Sequence, residues 1–143
     1  MKKVMGVLCL LALASAVTLA APNVQSSAQP FPKTLINARY VYVTSYDGGE
    51  FNPNVFPEDR QAIADVQTAM HDWGRYIVVY HPRQADMIVA VQKRGSEDVL
   101  AVYDPHLGAE STYLWRAMGR GGLDRNEMPL FDDLRQAVEK AAK

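Results

Sequence analysis

The sequence predicts an α+β fold, a two-layer sandwich of about five mostly antiparallel strands with two helices on one face. Two observations lead to this fold class. The periodicity of the apolar residues gives the element order strand, helix, four strands, helix. Two helices are too few to cover both faces of such a sheet, so we expect them to share one face.

The N-terminus has the pattern of a secretory signal peptide over residues 1–20, with a charged start, an apolar run and small residues for cleavage. The proline- and serine-rich segment 21–35 is predicted to be a disordered linker. Residues 36–143 then form a single α+β domain. Cleavage near Ala21 would leave no stable membrane anchor, so the protein is predicted to be exported, either periplasmic or extracellular.

The composition of the mature chain excludes several classes of function. The single cysteine, Cys9, lies inside the predicted signal, which excludes disulfides, thiol catalysis and Cys-ligated metals after cleavage. Fifteen basic residues, two of them in the signal, stand against sixteen acidic residues. A mildly acidic chain without a basic cluster is not expected to bind nucleic acid.

The first two elements of the domain are a strand and a helix. Residues 37–45 alternate like a strand and are rich in β-branched and aromatic residues. The helix begins at Asn54 or Pro57 and ends at Gly74. Its predicted inward stripe comprises Asp59, Ile63, Val66, Met70 and Trp73.

Four more strands and a second helix follow. Strands are predicted within 75–82, 85–94, 98–105 and 112–119, and the helix within 129–142. The short turn between the second and third of these strands predicts a hairpin.

Three glycines, Gly119, Gly121 and Gly122, raise the question of a phosphate-binding loop. Such a loop leads directly into a helix, whereas here the next helix begins only at Pro129, and no Gly-Lys-Ser or Gly-Lys-Thr is present. The glycines therefore predict a sharp turn.

An aromatic pattern supplies the candidate binding residues. Alternate residues of a strand share a face, and smaller aliphatic residues lie between the tyrosines of the first two strands. If the helices cover the aliphatic side, the open face would carry the aromatic side chains and could contact an envelope protein, a glycan, a peptide or a second copy. The alternative is that tyrosine simply favours half-exposed strands. The candidate binding residues are Tyr40, Tyr42, Tyr76, Tyr80 and Trp115.

Arg116 follows Trp115 and would therefore point towards the helices. A buried arginine needs a carboxylate partner. Asp86 and Asp104 are the candidates, so we expect a structural ion pair among these three residues.

Asp104 and His106 support an alternative function, a small periplasmic hydrolase or metal-dependent enzyme, if a nucleophile such as Ser111 lies nearby. The simpler interpretation is an Asp-Pro turn in which Asp104 caps its own backbone. No catalytic residue is assigned, and no metal-ligand spacing or cofactor motif is found in the sequence.

Short motifs in the second half of the chain carry a family resemblance, namely Gly74, Ala85-Asp86, Asp104, Trp115-Arg116 and Gly119. Their order resembles an uncharacterised family of small bacterial cell-envelope domains, often lipoproteins. The resemblance implies an α+β envelope domain and no catalytic residues. The chain departs from that family in lacking an anchoring cysteine at the end of the apolar run. Together, these observations favour a non-enzymatic, exported binding or assembly module.

Overall fold

The computed structural model describes residues 24–25, 29–46, 55–107 and 112–143, and the predicted signal lies outside these ranges. Both helices pack on the same face of one mixed sheet, so the α+β prediction is confirmed. None of the helices in the described part of the chain is long and apolar enough to cross a membrane. The strands are β1 (Val24–Gln25), β2 (Tyr40–Ser45), β3 (Ile77–Val79), β4 (Met87–Gln92), β5 (Asp98–Tyr103) and β6 (Trp115–Gly119), and the helices are α1 (Pro57–Trp73) and α2 (Pro129–Ala141).

The sheet has the strand order β1-β6-β5-β4-β2-β3. The three pairings from β1 to β4 are antiparallel, including the predicted hairpin of β4 and β5. β2 pairs in parallel with both β3 and β4. β2 and β3 are parallel because α1 carries the chain back along the sheet between them, and residues 80–86 return it again before β4.

Helix α1 is fixed at both ends by its sequence. Pro57 begins it, as the missing N–H of proline costs nothing at that position. Gly74 ends it in the left-handed region at φ 72°, and its N–H donates to the carbonyl of Met70 at 3.3 Å. The predicted stripe faces the sheet: Asp59, Val66 and Met70 are buried. Ile63 and Trp73 are half-buried against the core.

The glycine-rich segment forms the predicted sharp turn between β6 and α2. Gly121 has a φ of 66°, which favours glycine. A Cβ on Gly122 would collide with the buried side chain of Leu130. The N–H of Leu130 also donates to the carbonyl of Gly122 at 3.2 Å. The glycines therefore allow α2 to approach the end of the sheet closely.

The predicted disorder of 21–35 is wrong for the residues of that segment that the structure describes. Val24 and Gln25 pair with β6 as strand β1. Phe31 and Leu35 are each only 3% exposed and belong to the core. Burial of two such side chains stabilises the fold by about 1.5–3 kcal/mol each, which outweighs the polar composition around them.

Candidate functional site

The sheet has an open face, which no helix of the described residues covers. Tyr40 and Tyr42 lie on this face, because Val41 between them is completely buried under the helices. Tyr40 is 38% exposed, and Tyr42 is half-buried and is not without an interaction partner. A binding role for these two residues stays a prediction.

Trp115 does not lie on the open face, so its predicted placement is wrong. It is 1% exposed, lies opposite Val102 and packs in the helix-side core. The prediction assumed that Tyr113 and Trp115 share a strand, whereas β6 begins only at Trp115. The alternation of faces therefore does not extend back to Tyr113.

The predicted faces of β3 are also reversed. Ile77 lies opposite Tyr40 and is 48% exposed, whereas Tyr76 is 4% exposed. The ring of Tyr76 packs edge-to-face on Trp73 with 5.3 Å between centroids, and burial raises its pKa. Tyr80 follows the end of the strand and is 78% exposed. Tyr76 precedes β3 and packs on Trp73 at the end of α1, so the next residue, Ile77, faces the opposite side of the sheet.

Three tyrosines and an arginine form a cluster on the open face. The side chain of Tyr46 lies close enough to that of Tyr103 to affect its hydroxyl group, although β4 separates their strands. The guanidinium of Arg116 lies 4.4 Å from the ring centroid of Tyr113. Burial first, and then the neighbouring Tyr46, raises the pKa of Tyr103.

The predicted ion pair of Arg116 with Asp86 and Asp104 is wrong. Because Trp115 occupies the helix side, Arg116 points to the open face, and it has no carboxylate partner among the described residues. Asp86 instead accepts the backbone N–H groups of Arg39 and Tyr40 at 2.9 and 3.0 Å. These two hydrogen bonds hold the pKa of Asp86 below its ordinary value and tie the start of β4 to β2.

Asp104 and His106 form a turn after β5. Asp104 Oδ1 accepts the backbone N–H of His106 at 2.9 Å and lies 3.0 Å from its Nδ1. The imidazole is 74% exposed, and Ser111 lies outside the described residues. The contacts are those of an Asp-Pro turn that caps its own backbone. Within the described ranges, no group of three or more His, Cys, Asp or Glu side chains could hold a metal ion.

The sheet ends at β3, where the structure exposes an apolar surface that we call the edge patch: Tyr40, Ile77 and Tyr80. The N–H of Ile77 donates to the carbonyl of Arg39 at 2.8 Å. Backbone groups of successive residues in a strand point to opposite sides, so the N–H and C=O of Val78 point away from the sheet. A groove of about 670 Å³ runs between this edge and α1, lined in part by Ile77 and Tyr80. The sequence pattern placed Ile77 on the covered face, so Ile77 was not among the predicted binding residues.

At the opposite end of α1, the structure contains a buried acid pair, Asp59 and Asp98, each 1% exposed. Asp59 Oδ1 accepts the backbone N–H of Lys93 at 2.7 Å and the guanidinium of Arg94 at 2.8 Å. Asp98 accepts the N–H of Arg94 with one oxygen and the N–H of Leu123 with the other, both at 3.0 Å. The pair thus joins α1, the β4–β5 hairpin and the glycine turn. The only sequence signal was an aspartate in the apolar stripe of α1.

These features define a class of protein: a small two-layer α+β sandwich in which the helices of the described residues lie on one face of the sheet. No family model matches the chain, and the search of curated proteins found no match. Among solved structures, the PelC dodecamer from Paraburkholderia phytofirmans is similar, with a TM-score of 0.51 and 14% identity over 82% of this chain and 97% of that one. A PelC variant with one substitution, also a dodecamer, gives the same TM-score and coverage at 16% identity. At this level of identity, the similarity shows a shared fold.

Proposed function

We propose that the protein is an exported, non-enzymatic module that assembles with copies of itself through the edge patch. The observation that carries the proposal is the exposure of Tyr40, Ile77 and Tyr80 together at the end of the sheet. Exposed edge strands are normally shortened, charged or covered. An edge that is apolar and open is suited to a protein partner.

A second copy is the partner that the fold favours. The similar solved structures are dodecamers, so a fold of this kind is compatible with self-association. The outward backbone groups of Val78 offer hydrogen bonds to an added strand. Burial of Ile77 and Tyr80 against a neighbour would contribute about 1.5–3 kcal/mol for each large side chain.

The remaining parts of the proposal rest on the sequence. Export follows from the signal pattern of residues 1–20. An envelope protein, a glycan or a peptide would contact Tyr40 and Tyr42 on the open face, if assembly leaves that face accessible. The Asp104 turn gives no support to a hydrolytic function.

Light scattering after size exclusion, over a range of concentrations, tests self-association. The wild-type chain is expected to form an oligomer. Ile77→Asp places a charge in the edge patch and should weaken assembly at least tenfold, since an isoleucine contributes roughly 1.5–3 kcal/mol when buried. Phe56→Asp is the matched control, because Phe56 is 55% exposed but lies at the N-terminal end of α1.

The control variant should assemble like the wild type. A wild-type monomer at every concentration would contradict self-association itself. An Ile77→Asp variant that assembles normally would show that another surface makes the contact.

A further inference from the structure

The tyrosine cluster on the open face contains an arginine without an acidic partner. Arg116 lies on β6 opposite Ala101, so it shares the open face with every second residue of β5. No carboxylate of the described residues pairs with its guanidinium. The side chain is half-buried, and a cation that is partly removed from water without a counter-charge costs free energy. An anion bound at this position would offset that cost.

The strands beside Arg116 bring no charge of either sign to this face. The pairing of β4 with β5 and of β5 with β6 fixes which of their residues share the face with Arg116. All of those in β4 and β5 are uncharged, namely Ile88, Ala90, Gln92, Val99, Ala101 and Tyr103. The local field from these strands therefore has the sign of Arg116, which favours an anion and disfavours a cation.

The contact with Tyr113 holds the guanidinium in place and leaves its hydrogen-bond donors available. Arg116 Cζ lies 4.4 Å from the ring centroid of Tyr113, a cation–π contact. None of the described residues accepts a conventional hydrogen bond from the five N–H donors of the group. Such a planar fork binds a carboxylate through two parallel hydrogen bonds.

Tyr103 adds a hydroxyl group beside the guanidinium. It lies two residues beyond Ala101, so Tyr103 and Arg116 are diagonal neighbours on adjacent antiparallel strands, a relation in which long side chains reach each other. Burial, and then Tyr46, raises the pKa of Tyr103, so the phenol stays protonated at neutral pH and can donate. Arg116 and Tyr103 are both half-buried, so each keeps some surface that a ligand can reach.

We propose that Arg116 and Tyr103 bind the carboxylate group of a small organic acid on the open face. The guanidinium pairs with both oxygens of the carboxylate, and the hydroxyl group of Tyr103 donates to one of them. The single negative charge of a carboxylate matches the single cation of the site, whereas a phosphate group carries about 1.5–2 negative charges at pH 7. The site shares no residue with the edge patch, so it does not depend on self-association.

Isothermal titration calorimetry on the full chain tests the proposal. Acetate, benzoate and glucuronate are probes of increasing size, and acetamide, benzamide and glucose are their neutral counterparts. At least one acid is expected to bind saturably, with a dissociation constant of about 1 mM or lower. Its neutral counterpart should bind at least tenfold more weakly, because it lacks the charge that pairs with Arg116. Inorganic phosphate is titrated as the competing anion and should bind more weakly than that acid.

Variants locate the binding at the cluster. Arg116→Gln removes the positive charge and should weaken binding of the acid at least tenfold, the loss expected for hydrogen bonds to a charged group. Arg120→Gln is the matched control, because it removes the same charge from an exposed arginine just beyond β6 and should bind normally. Tyr103→Phe removes only the hydroxyl group and should weaken binding roughly threefold to tenfold. It becomes the deciding variant if circular dichroism shows that Arg116→Gln is unfolded.

Four results would overturn the proposal. If none of the acids binds to the wild-type protein, the cluster is not a carboxylate site. Equal binding of an acid and its neutral counterpart would show that the carboxylate is not recognised. Tighter binding of phosphate than of every acid would show that the site selects a different anion. Normal binding by Arg116→Gln, or by Tyr103→Phe in its place, would locate the acid elsewhere on the protein.

Discussion

Two regions of the molecule bury carboxyl groups, and they satisfy them to different degrees. At the hairpin end, both oxygens of Asp98 accept backbone N–H groups, and Asp59 accepts a backbone N–H and a guanidinium. On α2, beside a cavity of about 470 Å³, Asp133 Oδ2 is buried without a partner among the described residues, as is Asp59 Oδ2 at the hairpin end. Each hairpin acid therefore accepts two hydrogen bonds, whereas Asp133 accepts none from the described residues.

The difference indicates a difference in role. The hairpin acids join three segments of the chain, namely α1, the β4–β5 hairpin and the glycine turn, so their charge stabilises the fold. Asp133 accepts no hydrogen bond from the described part of the protein, so its burial costs free energy without a compensating contact. Stability measurements can test this contrast, because removal of the two kinds of carboxyl should change stability in opposite directions.

The largest loss of stability is expected from Asp98→Ala. The substitution leaves the buried N–H groups of Arg94 and Leu123 without an acceptor and should lower the free energy of unfolding by about 3 kcal/mol. Urea denaturation measures the loss. Glu97→Ala is the control, because the neighbouring Glu97 is exposed and should change stability by less than about 0.5 kcal/mol. Equal effects of the two substitutions would mean that the buried acid pair does not hold the hairpin.

An intermediate effect is expected from Asp59→Asn. The amide keeps the shape and an acceptor oxygen for Lys93, but it loses the negative charge beside Arg94. The expected loss is about 1.5 kcal/mol, the difference between a charged and a neutral hydrogen bond. Glu58→Gln changes an exposed acid in the same helical turn and should cost no more than about 0.5 kcal/mol. If Asp59→Asn left the free energy of unfolding unchanged, the position of the acceptor oxygen would matter and its charge would not.

The sequence predicted those parts of the fold that depend on local chemistry. The end of α1 followed from Gly74, its start at Pro57 was one of the two predicted, and the turn before α2 followed from the glycines. The faces of short strands were less predictable. β3 has only three residues and β6 begins at Trp115, so neighbouring residues outside the strand misled the assignment of faces.

The candidate sites depended on contacts that no local pattern encodes. Nothing near Asp133 in the sequence indicates that a tryptophan of β6 lies beside the same cavity. Asp59 was visible as an acid in an apolar stripe, but its partners come from residues 34 and 35 positions further along the chain. Tertiary packing brings these groups together, and single-sequence periodicity cannot predict such convergence.

The smallest change in the free energy of unfolding is expected from Asp133→Asn, and it is an increase. Burial and the charge of Asp132 raise the pKa of Asp133 in the folded state. In the unfolded chain the group ionises near its ordinary value of about 3.9. As the pH rises above that value, the unfolded state loses its proton first, so the wild-type protein loses stability. Below about pH 3 both states are protonated and the group makes no difference.

Asp133→Asn should therefore equal the wild type near pH 3 and exceed it at pH 7 by no more than roughly 0.5 kcal/mol, because the group is only half-buried. Asp132→Asn should show the reverse, since it removes a charge that favours the first turn of α2 and pairs with Arg135. Urea denaturation at the two pH values measures both variants. If Asp133→Asn proved less stable than the wild type at pH 7, the carboxylate would have a stabilising partner in the protein, and the contrast between the two regions would fail.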